Sequence, residues 1–277
     1  MSVSFKERYD ADGFVLVRGL FSPDECERLR EHYMVLRQRG SYSGDDSGIE
    51  AGARDPLKRY PRMTHVHRWD ETTLQWLIDQ RLDKVMTEIL GTSPYAVQTM
   101  IFFKPPGSRG QALHQDNFYL KAEPGTCLAA WMALDPVDEA NGGLQVVPGS
   151  HRWPILCTEK ADTTISYTDV TVPLPAPDAA VLVEMEPGDV LFFHGALVHG
   201  SAPNVTPDRF RRALIGHYIQ GEADKVAQYY HPVLRMDGST VDLAVAEGGG
   251  PCGVWTETPD GPLAVLTGTH TVTRKHE

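Results

Sequence analysis

From Gly91 to about residue 220 the chain keeps one rhythm, a short β-favouring run followed by a cluster of turn residues. "YAVQTMIFF" gives way to "PPGSRG", "CLAAWMAL" to "EANGG", "LQVV" to "PGSH" and "AAVLVEM" to "EPGD", before "VLFFHGALVHG" and "RRALIGHYI". Pro and Gly interrupt regular structure at these junctions. No helical stretch long enough for a parallel crossover separates the runs, which excludes a doubly wound α/β fold. Short strands at this spacing pack as an all-β sandwich or barrel.

Upstream the pattern is mixed and partly helical. In "FSPDECERLREHYMVLRQRG", Ser22 reads as a helix N-cap, Pro23 as the first helical residue and Glu25 as the reciprocal partner of a capping box. Cys26, Leu29, Tyr33 and Leu36 form one helical stripe, and Gly40 is a stop. "GSYSGDDSGIEAGARD" (40–55) reads as a loop and a candidate lid. A second helical region runs from about Glu71 to Leu90, broken near Asp79 and ended by Gly91. After Gln220 the Gly- and Thr-rich tail shows no period. No repeat or linker divides the 277 residues, so one domain is expected: a helical region over about 1–91, a β core over about 92–220 and an extension over about 221–277.

Lys and Arg number 26 against 37 Asp and Glu, a formal charge of −11, and no basic run is present. A nucleic-acid partner is disfavoured, and so is a strongly anionic substrate without a local basic pocket. The start "MSVSFKERYDADGF" has no apolar signal core, and no apolar run approaches a membrane span. Cys26, Cys127, Cys157 and Cys252 are scattered without a C-x-x-C pair. The expectation is a cytoplasmic protein with neither a disulfide framework nor a structural zinc site. The oligomeric state is left open.

Three islands carry chemistry. His114 and Asp116 in "QALHQDNFYL" are two residues apart, which places both on one face of a strand. His199 follows in "GALVHGSAPN", and Arg211 and Arg212 open "RRALIGHYI". Two neutral imidazoles and one carboxylate make the facial triad of non-haem Fe(II) oxygenases, which leaves sites for a 2-oxo acid and O2. An arginine downstream of the distal histidine suits the far carboxylate of 2-oxoglutarate, because its planar fork binds carboxylates and stays charged in an apolar setting. The Ser201 hydroxyl can support the same carboxylate. Taken singly, each has a plainer reading: a chance H-x-D, a core histidine, a solvated strand-end arginine. Asp189 in "EPGD" reads as a turn residue.

Taken together, "FFKPPGSRGQALHQDNFYL", "LAAWMALDPVDEANGGLQVVPGSHRW", "EPGDVLFFHGALVHGSAPNVT" and "RRALIGHY" resemble the phytanoyl-CoA dioxygenase family of Fe(II)/2-oxoglutarate-dependent oxygenases, and "DGFVLVRGLFSPDECERL" resembles that family's start. The resemblance implies a double-stranded β-helix (jelly roll, cupin-like) core with flanking helices. It implies His114, Asp116 and His199 as iron ligands and Arg211 as the main 2-oxoglutarate anchor. Arg209 and Arg212 compete for that role; "FRRAL" aligns through Phe210, and Arg212 would point to the opposite strand face. Gln98, Trp131 and Ser201 fall where the family lines its co-substrate pocket. Arg62 stands in place of a lysine, and His151 matches a structural loop residue. Halogenating relatives replace the H-x-D carboxylate by a small residue, so Asp116 favours hydroxylation. With no basic patch for coenzyme A, the expected substrate is a small secondary metabolite or biosynthetic intermediate. Asn117, Tyr119, His65, His67 and His217 are candidates for the pocket mouth. Two alternatives stay open, a cupin-like metal enzyme that does not use 2-oxoglutarate and a non-catalytic metal-binding relative.

Overall fold

A computed structural model describes residues 4–45, 48–247 and 249–270. Part of the candidate lid, 46–47, therefore lies outside the described residues. The chain opens with α1 (Phe5–Asp12), β1 (Phe14–Val17) and α2 (Pro23–Gln38). Helices α3 (Glu71–Leu77) and α4 (Gln80–Leu90) follow. The β core comprises β2 (Tyr95–Phe102), β3 (Gln111–His114), β4 (Cys127–Ala133), β5 (Leu144–Val146), β6 (Val181–Leu182), β7 (Val190–His194), β8 (His199–Ser201) and β9 (Ala213–Ile219). Beyond it lie β10 (Val233–Arg235), β11 (Thr240–Val241), β12 (Gly250–Thr258) and β13 (Gly261–His270).

The helices begin and end where the local chemistry dictates. At α2 the Ser22 hydroxyl accepts from the Glu25 amide and Glu25 accepts from the Ser22 amide, which satisfies two orphan donors. The stripe Cys26, Leu29, Tyr33, Leu36 is buried. The helical region after residue 70 is divided as expected: the Asp79 carboxylate caps α4, and Gly91 ends it at φ 82°.

The core strands form two antiparallel sheets, and β12–β13 stands apart as a hairpin. The larger runs β1-β7-β4-β9-β2-β10-β11, with a two-residue strand, Met63–Thr64, also paired to β2. The smaller runs β3-β8-β5-β6. Among the described residues the sheets do not close into a barrel. Every residue of β4 is buried, because the large sheet is covered on both faces. Ala129, Trp131, Ala133, Leu191, Phe193, Ala213 and Ile215 pack with Leu144 and Val146 of the small sheet. The residues between them, including Ala130, Met132, Phe192 and Leu214, pack with the helices. The two-residue period thus sorts each strand into a helix-facing and a sheet-facing set, and a one-residue slip would exchange them.

Three features differ from the sequence expectation. The large sheet takes strands from both sides of 92–220, β1 at one edge and β10–β11 at the other. The tail, which shows no period, contains the hairpin β12–β13. The expectation of unbridged cysteines is corrected: Cys157 and Cys252 form a disulfide, 95 residues apart. Gly253 beside Cys252 exchanges backbone hydrogen bonds with Ile155 and Cys157 at 2.8 and 2.9 Å, so the hairpin lies along the 155–157 loop. That juxtaposition is tertiary, and cysteine spacing carries no trace of it. Cys26 and Cys127 are free and buried.

Candidate metal centre and co-substrate pocket

His114 ends β3, and its register partner on β8 is His199. Their rings lie 4.2 Å apart, centroid to centroid. Asp116 follows at the cap position of the short helix Asn117–Leu120, which is tied down by the Asn117 amide donating to Gly195 O at 2.8 Å. Its carboxylate makes no capping bond and turns towards the histidines instead. Asp116 Oδ1 is 3.5 Å from His114 Nε2 and 3.7 Å from His199 Nε2. One ligand atom from each of the three residues lies within 4.8 Å of the others.

Both imidazoles are oriented from behind. His114 Nδ1 donates to Ala112 O at 2.9 Å and His199 Nδ1 to Leu197 O at 3.0 Å. A carbonyl only accepts, so each Nδ1 carries the proton and each Nε2 presents its lone pair. Gln111 Nε2 donates to that lone pair on His114 at 3.0 Å. Burial, then the neighbouring His114, holds the His199 pKa at about 4, so its imidazole is neutral. Burial alone would raise the Asp116 carboxyl; His199, His114 and His217 outweigh it and hold it well below its usual range. His217 Nε2 lies 3.2 Å from Asp116 Oδ2, which leaves Oδ1 facing the histidines. Gln115, between the two candidate ligands, faces away and pins the neighbouring loops, accepting from Leu156 N and donating to Ala196 O, each at 2.8 Å. Two neutral nitrogens and one ionised oxygen converging in this way fit a ferrous ion.

The three arginines separate cleanly. Arg209 pairs with Asp138 at the surface, at 2.6 and 3.1 Å. Arg212 donates from Nε and Nη2 to Asp135 at 2.7 and 2.8 Å. Arg211 shares the parity of Ala213 and Ile215 and enters the space between the sheets. It is 4% exposed, its guanidinium carbon lies 5.3 Å from the Trp131 ring centre, and its Nε has no partner among the described residues. Burial lowers its pKa to about 10, against the opposing influence of Tyr167 and Asp135. Gln98 is buried and is the register partner of His217, so both point to the same inter-sheet face as Trp131. Ser201 Oγ accepts from the Gln111 amide at 3.3 Å. Arg62 is half-buried, and its charge acts on Tyr119 and Tyr167.

The mouth candidates divide. Tyr119 is exposed, whereas Asn117 accepts the Ala122 amide at 3.4 Å. His65 and His67 are buried rather than at a mouth, and His65 takes a left-handed backbone at φ 53°. His151 bonds Asp10 O, and Asp189 accepts the amides of Gly19 and Glu186, both structural as expected. Sequence reasoning missed the Tyr167 hydroxyl, buried in reach of Arg62 and Arg211. It also missed Lys104, although a lone lysine closing the apolar run "MIFFK" was a visible signal.

A family model for phytanoyl-CoA dioxygenase (PhyH) matches residues 9–213. Peroxisomal phytanoyl-CoA dioxygenase of Rattus norvegicus is 28% identical over 231 residues, covering 79% of this chain and 68% of that protein. Among solved structures, the epimerase SnoN in complex with Fe3+, alpha ketoglutarate and nogalamycin RO superposes with a TM-score of 0.61 at 21% identity, covering 88% of this chain and 94% of that one. EvdO2 of Micromonospora carbonacea var. aurantiaca, complexed with 2-oxoglutarate, gives a TM-score of 0.61 at 21% identity, covering 78% and 90%. At these identities the structural likeness speaks for the fold.

Proposed function

The chain belongs to the phytanoyl-CoA dioxygenase family of Fe(II)/2-oxoglutarate-dependent oxygenases, and we propose that it hydroxylates an unactivated C–H bond of a small biosynthetic intermediate, releasing succinate and CO2. The observation that carries this reading is the buried Arg211, without a carboxylate partner among the described residues, in the inter-sheet space that the His114–Asp116–His199 cluster also faces. A cupin-like enzyme that does not use 2-oxoglutarate has no need of such a cation.

In this reading His114, Asp116 and His199 hold Fe(II), which supplies activation of O2 coupled to oxidative decarboxylation of 2-oxoglutarate. Arg211 and Ser201 take the C5 carboxylate of the co-substrate, with Trp131 and Gln98 lining its chain and Arg62 near the entrance. The packed faces of the two sheets keep bulk water from the reacting groups. Asp116 occupies the position that a halogenating enzyme leaves open, which favours oxygen transfer. The biosynthetic substrate class draws support from SnoN, a protein of nogalamycin biosynthesis in the same fold. The formal charge of −11 bears against a coenzyme A thioester and against nucleic acid. Among the described residues no helix is long and apolar enough to cross a membrane. We treat 1–277 as one domain, since the large sheet draws strands from both flanks.

Anaerobic addition of Fe(II) and 2-oxoglutarate should produce the weak visible charge-transfer band of a chelated 2-oxo acid. Absence of the band, together with no succinate formed in air across a panel of biosynthetic intermediates, would overturn the reading.

A further inference from the structure

Lys104 lies just beyond β2 and is 4% exposed. Its main chain is clamped to the co-substrate side of the fold: the Lys104 carbonyl accepts from the Arg211 amide and from Asn204 Nδ2, both at 3.1 Å. Its side chain crosses to the small sheet, where Nζ donates to Ser201 Oγ at 3.0 Å. An ammonium has three donors and no acceptor, so one neutral hydroxyl leaves most of its capacity unused. Among the described residues no carboxylate forms an ion pair with Lys104 or Arg211; Asp135, which acts on Arg211, is taken by Arg212. Burial, and then the like charge of Arg211, disfavour the ammonium in the absence of an anion. Two buried cations whose main chains are hydrogen-bonded to each other, one of them reaching Ser201, with no counter-charge, are costly to keep unless an anion arrives between them.

We propose that Lys104 is a second cationic ligand of the 2-oxoglutarate C5 carboxylate, sharing it with Arg211 and Ser201. The inference rests on the 2-oxoglutarate reading of the site and adds to it a residue that no motif assigned. Carboxylate recognition would then be shared by two cations, so that loss of either leaves the other in place.

The test is calorimetric titration of the Fe(II)-loaded enzyme with 2-oxoglutarate under argon, which reads binding without turnover. Lys104→Met should weaken 2-oxoglutarate binding by about tenfold to hundredfold, as expected for losing a charge-assisted bond. Lys104→Arg should recover most of the loss, and Fe(II) affinity should be unchanged in both. In a double-mutant cycle, Lys104→Met and Arg211→Met should be non-additive, because both groups hold one carboxylate. If Lys104→Met does not fold, Lys104→Gln serves in its place. Wild-type affinity in the neutral variant, or parallel losses of Fe(II) and 2-oxoglutarate affinity, would overturn the role of Lys104. A wild-type enzyme that binds Fe(II) but not 2-oxoglutarate would instead overturn the underlying reading.

Discussion

His114 and His199 are direct register partners on the neighbouring strands β3 and β8, with their rings 4.2 Å apart. Their separation of 85 residues in sequence is removed by sheet pairing alone, so the cluster's geometry is a property of the strand register. Asp116, two residues past His114, supplies the third donor. Asp116→Ala should abolish succinate-coupled hydroxylation, a loss of at least about 100-fold, more than is typical of removing a supporting residue. Retained turnover would mean that another carboxylate serves the metal.

His217 approaches the same carboxylate from the large sheet, with Nε2 3.2 Å from Asp116 Oδ2. It holds one oxygen and leaves the other facing His114 and His199. His217→Phe keeps the ring volume and removes that bond. Fe(II) affinity, measured by anaerobic titration, should fall by roughly 10- to 100-fold while the melting temperature changes little. An unchanged affinity would assign His217 to packing.

Arg211 and Arg212 are neighbours with opposite duties. Arg211→Met should raise the KM for 2-oxoglutarate and leave the fold intact. Arg212→Met breaks a two-bond side-chain pair and leaves the buried Asp135 with the residue-212 amide at 2.8 Å and a 3.9 Å approach from Arg30. It should cost about 1.5–3 kcal/mol of stability, read by chemical denaturation, with little change in KM. The reverse pattern would mean that the strand parity has been misassigned.

Much of this was legible in the sequence because it is local. The Ser22–Glu25 capping box, the break at Asp79 and the H-x-D spacing depend on residues a few positions apart. Choosing Arg211 over Arg212 rested on the family resemblance through Phe210, with the two-residue period of a strand setting the two on opposite faces. What could not be read is tertiary. The tail hairpin finds the 155–157 loop, His217 reaches Asp116 from the other sheet, and Lys104 meets Ser201 across 97 residues. His65 and His67, expected at a mouth, are buried because the Val66–Arg68 turn packs under Tyr229 and Tyr230. No pattern in the tail announces that cover.

The burial of those histidines sets an acid limit on stability. Burial, then Arg68 and His67, depresses the His65 pKa to about 3; burial, then Arg68, depresses that of His67 to about 4. Both have an ordinary value of 6.5. The unfolded chain therefore binds protons that the folded chain refuses, and stability falls as pH drops below about 6.5, until the folded pKa values are passed. Each histidine contributes roughly 1.4 kcal/mol per pH unit at the steepest. The double variant His65→Phe, His67→Phe should show a shallower decline in melting temperature between pH 6.5 and 4. A slope equal to wild type would place the acid sensitivity elsewhere.

The Cys157–Cys252 bridge closes a long loop and fastens the β12–β13 hairpin to the segment that carries Leu156. Trp153 and Trp255 meet edge to face beside it at 5.0 Å, and Trp255 Nε1 donates to Pro173 O at 3.0 Å, so packing also holds the hairpin. The bridge acts chiefly on the unfolded chain, where it removes loop entropy. Replacing both cysteines by serine should cost about 2–4 kcal/mol in oxidised protein, with the folded structure retained. A dithiol reductant should bring wild type down to the level of the double variant and leave the double variant unchanged. Should wild type melt at the same temperature with and without reductant while its thiols titrate as reduced, the hairpin's packing would carry the whole attachment and the bridge none of it.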